Sequence, residues 1–342
     1  MTELIVTNFN RNFTGVSATA AGVVRLQHHQ FDMALSGVAL PGCPAPVSRS
    51  EARRLSQVPP QGRPCTIWHV RRNTEMRAAL WARDVLRLPI RIVFTSAAQR
   101  RHSAFPRWLI SRMDAVIATT EAAAGYVPHL RAVVPHGVDC ARFSPAVNRA
   151  AAWSATGYPG TCGIATIGRI RPEKGTDRFV DAMLRLLPDH PDVTALVIGR
   201  AGRQDQQFLA DLKARIAKAG LADRLLFTGE IAPDTIPALL RALTAVVQLP
   251  TYEGYGMAPL EAMASGVPFV ATDAGYYRRF AAGGTAGLIT ADAAHDLDTL
   301  LRNPAHHSRM ADHARRLAEA EFSIEREAQG IARVYASLWS DS

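Results

Sequence analysis

The chain has 342 residues, 48% of them hydrophobic and 20% charged, with a formal net charge of +9. That length exceeds one compact core and predicts two domains, and the composition excludes a disordered or fibrous chain. No basic segment followed by an apolar run opens the sequence, and no stretch approaches the ~20 apolar residues of a membrane span, so the expectation is a cytoplasmic protein.

In chain order, the first half carries short strand-like apolar runs at residues 4–7, 33–40, 66–69, 90–95, 115–119 and 132–134. Helical patterns fall between several of them, such as residues 75–87. Residues 143–161 are rich in Ala, Ser, Pro and Gly, lack a clear period, and mark a join. The second half repeats the scheme, with strands expected at 163–167, 195–198, 225–228, 245–249 and 269–272. Helices are expected at 177–187, 207–219, 233–242 and 259–264. Residues 323–339 read as an amphipathic helix with Ile331, Val334, Tyr335 and Leu338 on one side. Such alternation implies parallel sheets covered by helices on both faces, and it occurs twice. The expected fold class is α/β, with two doubly wound, Rossmann-like domains facing a central cleft.

Of the 39 basic residues only Lys174, Lys213 and Lys218 are lysines. Arginine is dense between Arg49 and Arg112, with the pairs Arg53-Arg54, Arg71-Arg72 and Arg100-Arg101. A surface of this kind attracts phosphates, an anionic membrane surface or nucleic acid, or is simply a solvated basic face. No nucleic-acid-binding motif accompanies it, so nucleic acid is not an expected partner. Cys43, Cys65, Cys140 and Cys162 are scattered without a C-x-x-C pair, which suggests neither a disulfide framework nor a zinc site.

Ligands of doubly wound sheets bind beyond the carboxyl ends of strands, so the strand-end loops matter most. One runs from Thr251 to Glu261 after the strand at 245–249. Pro259 suits the first turn of a helix and Gly266 its C-terminal cap. Gly254 and Gly256 let the backbone approach a ligand, and the helix beyond Tyr255 and Met257 offers free N–H groups to an anion or a polyhydroxyl group. Glu253 sits in the loop, where it can meet a bound sugar. Glu261 lies about a turn into the helix, where it can accept hydrogen bonds from ribose hydroxyls. A second loop, Gly168 to Gly175, carries Arg169 and Lys174, which can converge on one diphosphate. Neither this loop nor Asn12 to Ser17 after the first strand is a P-loop or a G-x-G-x-x-G fingerprint. Gly15 can bring backbone amides to donor phosphates; the plainer reading of that segment is a turn with Ser17 as helix N-cap. Pro135 to Asp139 reads as a structural loop. His69, His102 and His136 are candidate site histidines, and no spacing pairs a histidine with further metal ligands.

Taken together, Glu253…Glu261 in E-x7-E form, the Gly168-Arg169…Lys174 loop and Pro135-His136-Gly137-Val138-Asp139 resemble glycosyltransferase family 4, most closely from Ala132 to Leu288. Phe94 to Ser103 further resembles the bacterial lipopolysaccharide-core mannosyltransferases. The resemblance implies a GT-B fold with an N-terminal acceptor domain (residues 1–145) and a C-terminal donor domain (residues 146–322). Residues 323–342 then form a helix crossing back to the first domain. It implies a retaining, metal-independent hexosyl transfer with no cofactor beyond the nucleotide-sugar co-substrate. GDP-mannose is the expected donor, and a lipopolysaccharide-core or other lipid-linked glycan the acceptor, met at the inner face of the inner membrane. Arg169 and Lys174 then bind the donor diphosphate, Glu253 the transferred sugar and Glu261 the ribose. One departure stands out. Where many members carry a histidine at the end of an N-terminal-domain strand, this chain reads Thr95-Ser96-Ala97-Ala98, which leaves His69, His102 or no residue in that role. The alternatives are a nucleotide-sugar epimerase of the same fold and a non-catalytic nucleotide-binding homologue. An NAD-dependent oxidoreductase lacks its glycine fingerprint here.

Overall fold

Twelve short strands form two parallel sheets in the computed structural model, which describes residues 1–341. The first sheet contains β1 (Leu4–Asn8), β2 (Met33–Gly37), β3 (Thr66–Val70), β4 (Ile90–Ser96), β5 (Ala115–Ala118) and β6 (Leu130–Val133), in the order β2-β1-β3-β4-β5-β6. Its strands are nearly continuous in apolar residues because both faces are covered. Alternation along each strand sends Ile5, Trp68 and Ile92 to one core with Met76, Leu80 and Leu109. Leu4, Ile67 and Val93 pack instead with Val23 of the helix Gly15–Gln27 and with Ile331, Val334, Tyr335 and Leu338 of the helix Ile324–Ser340. The C-terminal helix therefore covers one face of the first sheet.

The second sheet contains β7 (Cys162–Ile167), β8 (Val193–Ile198), β9 (Leu225–Gly229), β10 (Ala245–Gln248), β11 (Phe269–Ala271) and β12 (Gly287–Ile289), in the order β12-β11-β10-β7-β8-β9. Phe179, Val180, Met183 and Leu186 of the helix Thr176–Leu186 recur at helical spacing and are all buried in its core. In each sheet the strand order reverses at one place: between β1 and β3 in the first, between β7 and β10 in the second.

The chain divides into a unit formed by Met1–Gly137 with the segment from Phe322 onward, and a unit Val138–Glu321. Residues 138–145 thus join the second unit, whereas the sequence puts the boundary after residue 145. The anchors are local to that unit. Arg315 donates to the carbonyls of Cys140 and Phe143, and Arg142 donates to the carbonyl of Pro233 at 2.7 Å.

Other expectations shift for identifiable reasons. The first helix starts at Gly15, and Thr14, in extended conformation, is its N-cap and accepts from the Ser17 amide. Ser17 lies inside the helix and is not the cap. β2 stops at Gly37, whose φ of +115° turns the chain. The helix expected over residues 75–87 runs over Asn73–Leu80, passes into a π-helical turn at Trp81–Val85, and ends before Arg87, whose φ is positive. β12 and the helices Ala293–Arg302 and Pro304–Glu321 are additions to the expected elements.

Candidate functional site

The crevice beyond the carboxyl ends of strands, where their order reverses, is the ligand position of a doubly wound sheet. In the second unit that place lies between β7 and β10, and the strands there lead into the two loops singled out by sequence. After β7 the chain makes a single 3₁₀ turn, Pro172–Lys174, and enters the helix Thr176–Leu186 through Gly175 in left-handed conformation. A Cβ on Gly175 would lie 1.8 Å from the carbonyl oxygen of Leu249, so the two loops touch through backbone. Thr251 N donates to the Glu173 carbonyl at 3.0 Å.

These contacts bring Lys174 and Glu253 together. Lys174 Nζ donates to Glu253 Oε2 at 2.5 Å, and the Gly254 amide donates to Glu253 Oε1 at 3.0 Å. Both side chains are about one-quarter exposed, so the pair is half-sunk and reachable from solvent. Arg169 stands exposed at the start of its loop. Among the described residues no hydrogen bond or ion pair ties it to Lys174 or Glu253. Lys174 thus has a carboxylate partner across the two loops, while Arg169 lies on the same loop as Lys174, five residues before it.

Gly256 caps the helix Met257–Ala264 with φ +98°, and a Cβ there would lie 2.1 Å from the ring of buried Tyr277. Glycine is required for both reasons. Tyr255 is buried and stacks on Tyr276 with centroids 5.3 Å apart, and its carbonyl accepts from the Tyr276 amide at 2.9 Å. The stem of Glu253 packs against Gly275. The first-turn N–H groups at Met257 and Ala258 face outward along the helix axis, as those of any helix start do. Glu261 lies one turn on. Burial pushes its carboxyl up to about 7, against the opposing charge of Arg142. Tyr277, Gly275 and Arg142 shape this site without having been singled out. Arg142 gives no sequence signal in an arginine-rich chain, and Tyr277 reads as an ordinary core aromatic.

In the first unit, Gly15 opens its helix at an exposed position where a Cβ would meet nothing within 4 Å. The loop before it is clamped at the β1/β3 reversal. Fully buried Glu75 accepts from Thr7 Oγ1, Phe9 N, Arg71 N and Arg72 Nη1. Arg72 then donates to Asn8 Oδ1, Thr14 Oγ1 and Ser17 Oγ at 2.9–3.1 Å. His69 belongs to the core: it shares a face of its sheet with Ile67, is 0% exposed, and lies 2.5 Å from the Tyr335 hydroxyl and 2.7 Å from Thr95 Oγ1. It is no replacement for a sugar-side histidine. His102 is half-buried near Ser96 Oγ, at 3.4 Å. His136 and the Gly137 amide both engage Glu327. Among the described residues no three His, Cys, Asp or Glu side chains gather to hold a metal ion, and no helix is long and apolar enough to cross a membrane. The cysteines are free thiols.

Two doubly wound sheets, with a basic loop and an E-x7-E loop meeting where the second sheet reverses, define a glycosyltransferase of GT-B fold. Residues 162–317 match the family described as Glycosyl transferases group 1, and this chain belongs to that family. It is 44% identical to the lipopolysaccharide core biosynthesis mannosyltransferase LpsB of Rhizobium meliloti (strain 1021), over 98% of this chain and 97% of that protein. It is 41% identical to the lipopolysaccharide core biosynthesis mannosyltransferase LpcC of Rhizobium leguminosarum bv. viciae, over 99% and 97%. Among solved structures, Anabaena HepE in complex with UDP and glucose superposes with a TM-score of 0.84 at 17% identity, over 98% of this chain and 100% of that one, which shows the fold.

Proposed function

We propose that this chain moves mannose from GDP-mannose onto a lipopolysaccharide-core or other lipid-linked glycan, with retention of anomeric configuration and without a metal. Two relatives of matching length, both mannosyltransferases of lipopolysaccharide core biosynthesis, support the sugar and the acceptor class. The observation that carries the chemistry is the Lys174–Glu253 contact at the β7/β10 reversal.

Sugar transfer breaks the bond between C1 and the β-phosphate oxygen of GDP. Negative charge grows on the leaving group while positive charge grows on the sugar. Lys174 and Arg169 supply fixed positive charge to the diphosphate, and the start of the helix Met257–Ala264 adds its N–H groups. The acceptor oxygen bonds to C1 on the face the phosphate leaves, and the departing phosphate takes the acceptor proton. A second carboxylate of hydrolase type is not needed. Glu253 positions the sugar hydroxyls and is not a nucleophile; Glu261 accepts from the ribose. Gly254, Tyr255, Gly256 and Met257 shape the backbone that meets the donor, and Gly15 admits it on the first unit. The acceptor is met at the inner face of the inner membrane.

The test is incubation with GDP-mannose and a truncated, deacylated core oligosaccharide in the presence of EDTA, followed by mass and by NMR of the new anomeric proton. One added hexose of retained configuration, formed only when acceptor is present, supports the reading. Donor isomerised without acceptor makes the protein an epimerase, and donor bound without turnover makes it a non-catalytic homologue.

A further inference from the structure

Fourteen arginines and only three acidic residues lie between positions 49 and 112, an excess larger than the net charge of the whole chain. The acids are already occupied. Glu51 pairs with Arg54, Asp84 with Arg83 and Arg112, and Glu75 is buried on Arg72. Six large apolar side chains in the same stretch are exposed, and five of them, Trp81, Val85, Leu86, Phe105 and Trp108, fall within residues 81–108, the sixth being Val58. Trp81 is 43% exposed, Phe105 51% and Trp108 53%, too open for core residues. Arg77 and Trp81 are exposed one turn apart, and Phe105 stacks on Trp108 one turn along its own helix, with centroids 6.2 Å apart.

Trp81, Phe105 and Trp108 line a single open hollow of about 560 Å³, and Arg49 and Arg77 stand at its edge. Guanidinium groups lie over the rings themselves, Arg53 at 5.0 Å from Trp81 and Arg112 at 5.6 Å from Trp108. Rings flanked by cations suit the boundary between lipid headgroups and acyl chains, where an aromatic body is sheltered and a cation meets phosphate. A wholly aqueous saccharide would leave Val85 and Leu86 uncovered.

We infer that this face of the first unit docks on an anionic lipid bilayer, with Trp81, Phe105 and Trp108 entering the interface and the surrounding arginines meeting lipid phosphates. The inference rests on the lipid-linked acceptor proposed above and names the surface that brings the enzyme to it. Docking needs no donor, and it is separable from catalysis.

Two of the five tryptophans, Trp81 and Trp108, are exposed, whereas Trp68, Trp153 and Trp339 are buried. Vesicles of phosphatidylcholine and phosphatidylglycerol with brominated acyl chains therefore report on this face. The full chain, without nucleotide-sugar, is expected to lose tryptophan emission on anionic vesicles, less so as salt rises. Trp81→Phe/Trp108→Phe should abolish the quenching, and Trp81→Ala/Phe105→Ala/Trp108→Ala should weaken vesicle binding by about tenfold or more. Absent quenching in the wild type, or quenching that persists in Trp81→Phe/Trp108→Phe, overturns the inference. So does an emission shift that depends on protein concentration alone, which would make the face a contact between copies. Transfer to the soluble, deacylated acceptor is measured without vesicles, so loss of that activity sinks the proposed function and leaves docking to stand or fall by itself.

Discussion

Lys174 Nζ donates to Glu253 Oε2 at 2.5 Å, across the point where the second sheet reverses its strand order. A cation and a carboxylate that are both partly solvated contribute at most ~1 kcal/mol to stability. A far larger effect on turnover is expected, because a fixed charge on the leaving diphosphate is worth ~3 kcal/mol. Lys174→Ala should thus lose roughly a hundredfold in kcat while its circular dichroism and melting temperature stay near those of the wild type. Unaltered turnover in the purified variant would remove Lys174 from the reaction.

Glu261 gives the site a pH dependence. Burial raises its carboxyl from an ordinary 4.5 to about 7. A group raised in the folded state contributes stability that is full below about 4.5 and lost as pH climbs to about 7, because the folded protein then holds a half-buried, poorly hydrated charge. In the proposed role of Glu261 the ribose hydroxyls donate to the ionised form, and donor affinity should then rise with pH between about pH 6 and pH 8. Glu261→Gln should flatten that rise, and at alkaline pH the free variant should melt above the wild type. Titration calorimetry and thermal melts across that range check both halves; parallel pH profiles for the two proteins would refute them.

Gly15 and Gly256 make opposite demands. A Cβ on Gly256 meets the Tyr277 ring at 2.1 Å in a backbone of φ +98°, whereas a Cβ on Gly15 meets nothing. Gly256→Ala should therefore lower stability along with activity. Gly15→Ala should leave the melting temperature unchanged or slightly raised, and any rise in donor KM then reports ligand approach at Gly15. Unchanged kinetics in Gly15→Ala would take that residue out of the donor site.

His69 has both ring nitrogens engaged inside the first core, by Tyr335 and Thr95. Tyr335→Phe deletes one partner and should cost ~1–3 kcal/mol in urea unfolding without changing kcat. A fall in kcat with stability intact would return His69 to the catalytic candidates.

The legible part of this protein was what local pattern dictates. The eleven strands expected from apolar runs are all present, within a few residues, since both-face burial writes them as near-continuous Val, Ile and Leu. β12 escaped because Gly287–Ile289 is three residues long and begins with glycine. The helix Pro304–Glu321 escaped because its buried face is His307, Met310 and three alanines, which contrast weakly with its polar face. Of the candidate site, the two loops in the second unit could be found from glycine, carboxylate and the rare lysine. What required the fold was which partners meet: Lys174 with Glu253, Gly256 with Tyr277, and His69 with a residue 266 positions away in sequence.

The central claim is that both loops at the β7/β10 reversal grip one molecule of GDP-mannose. Its most direct test is the binding isotherm of GDP-mannose on the wild type and on Lys174→Ala/Glu261→Gln, at a pH where Glu261 is ionised. Saturable binding to the wild type, weakened by about a hundredfold in the double variant, is the predicted result. Superimposable isotherms, or no binding of GDP-mannose beside clear binding of a UDP- or ADP-sugar, would contradict it.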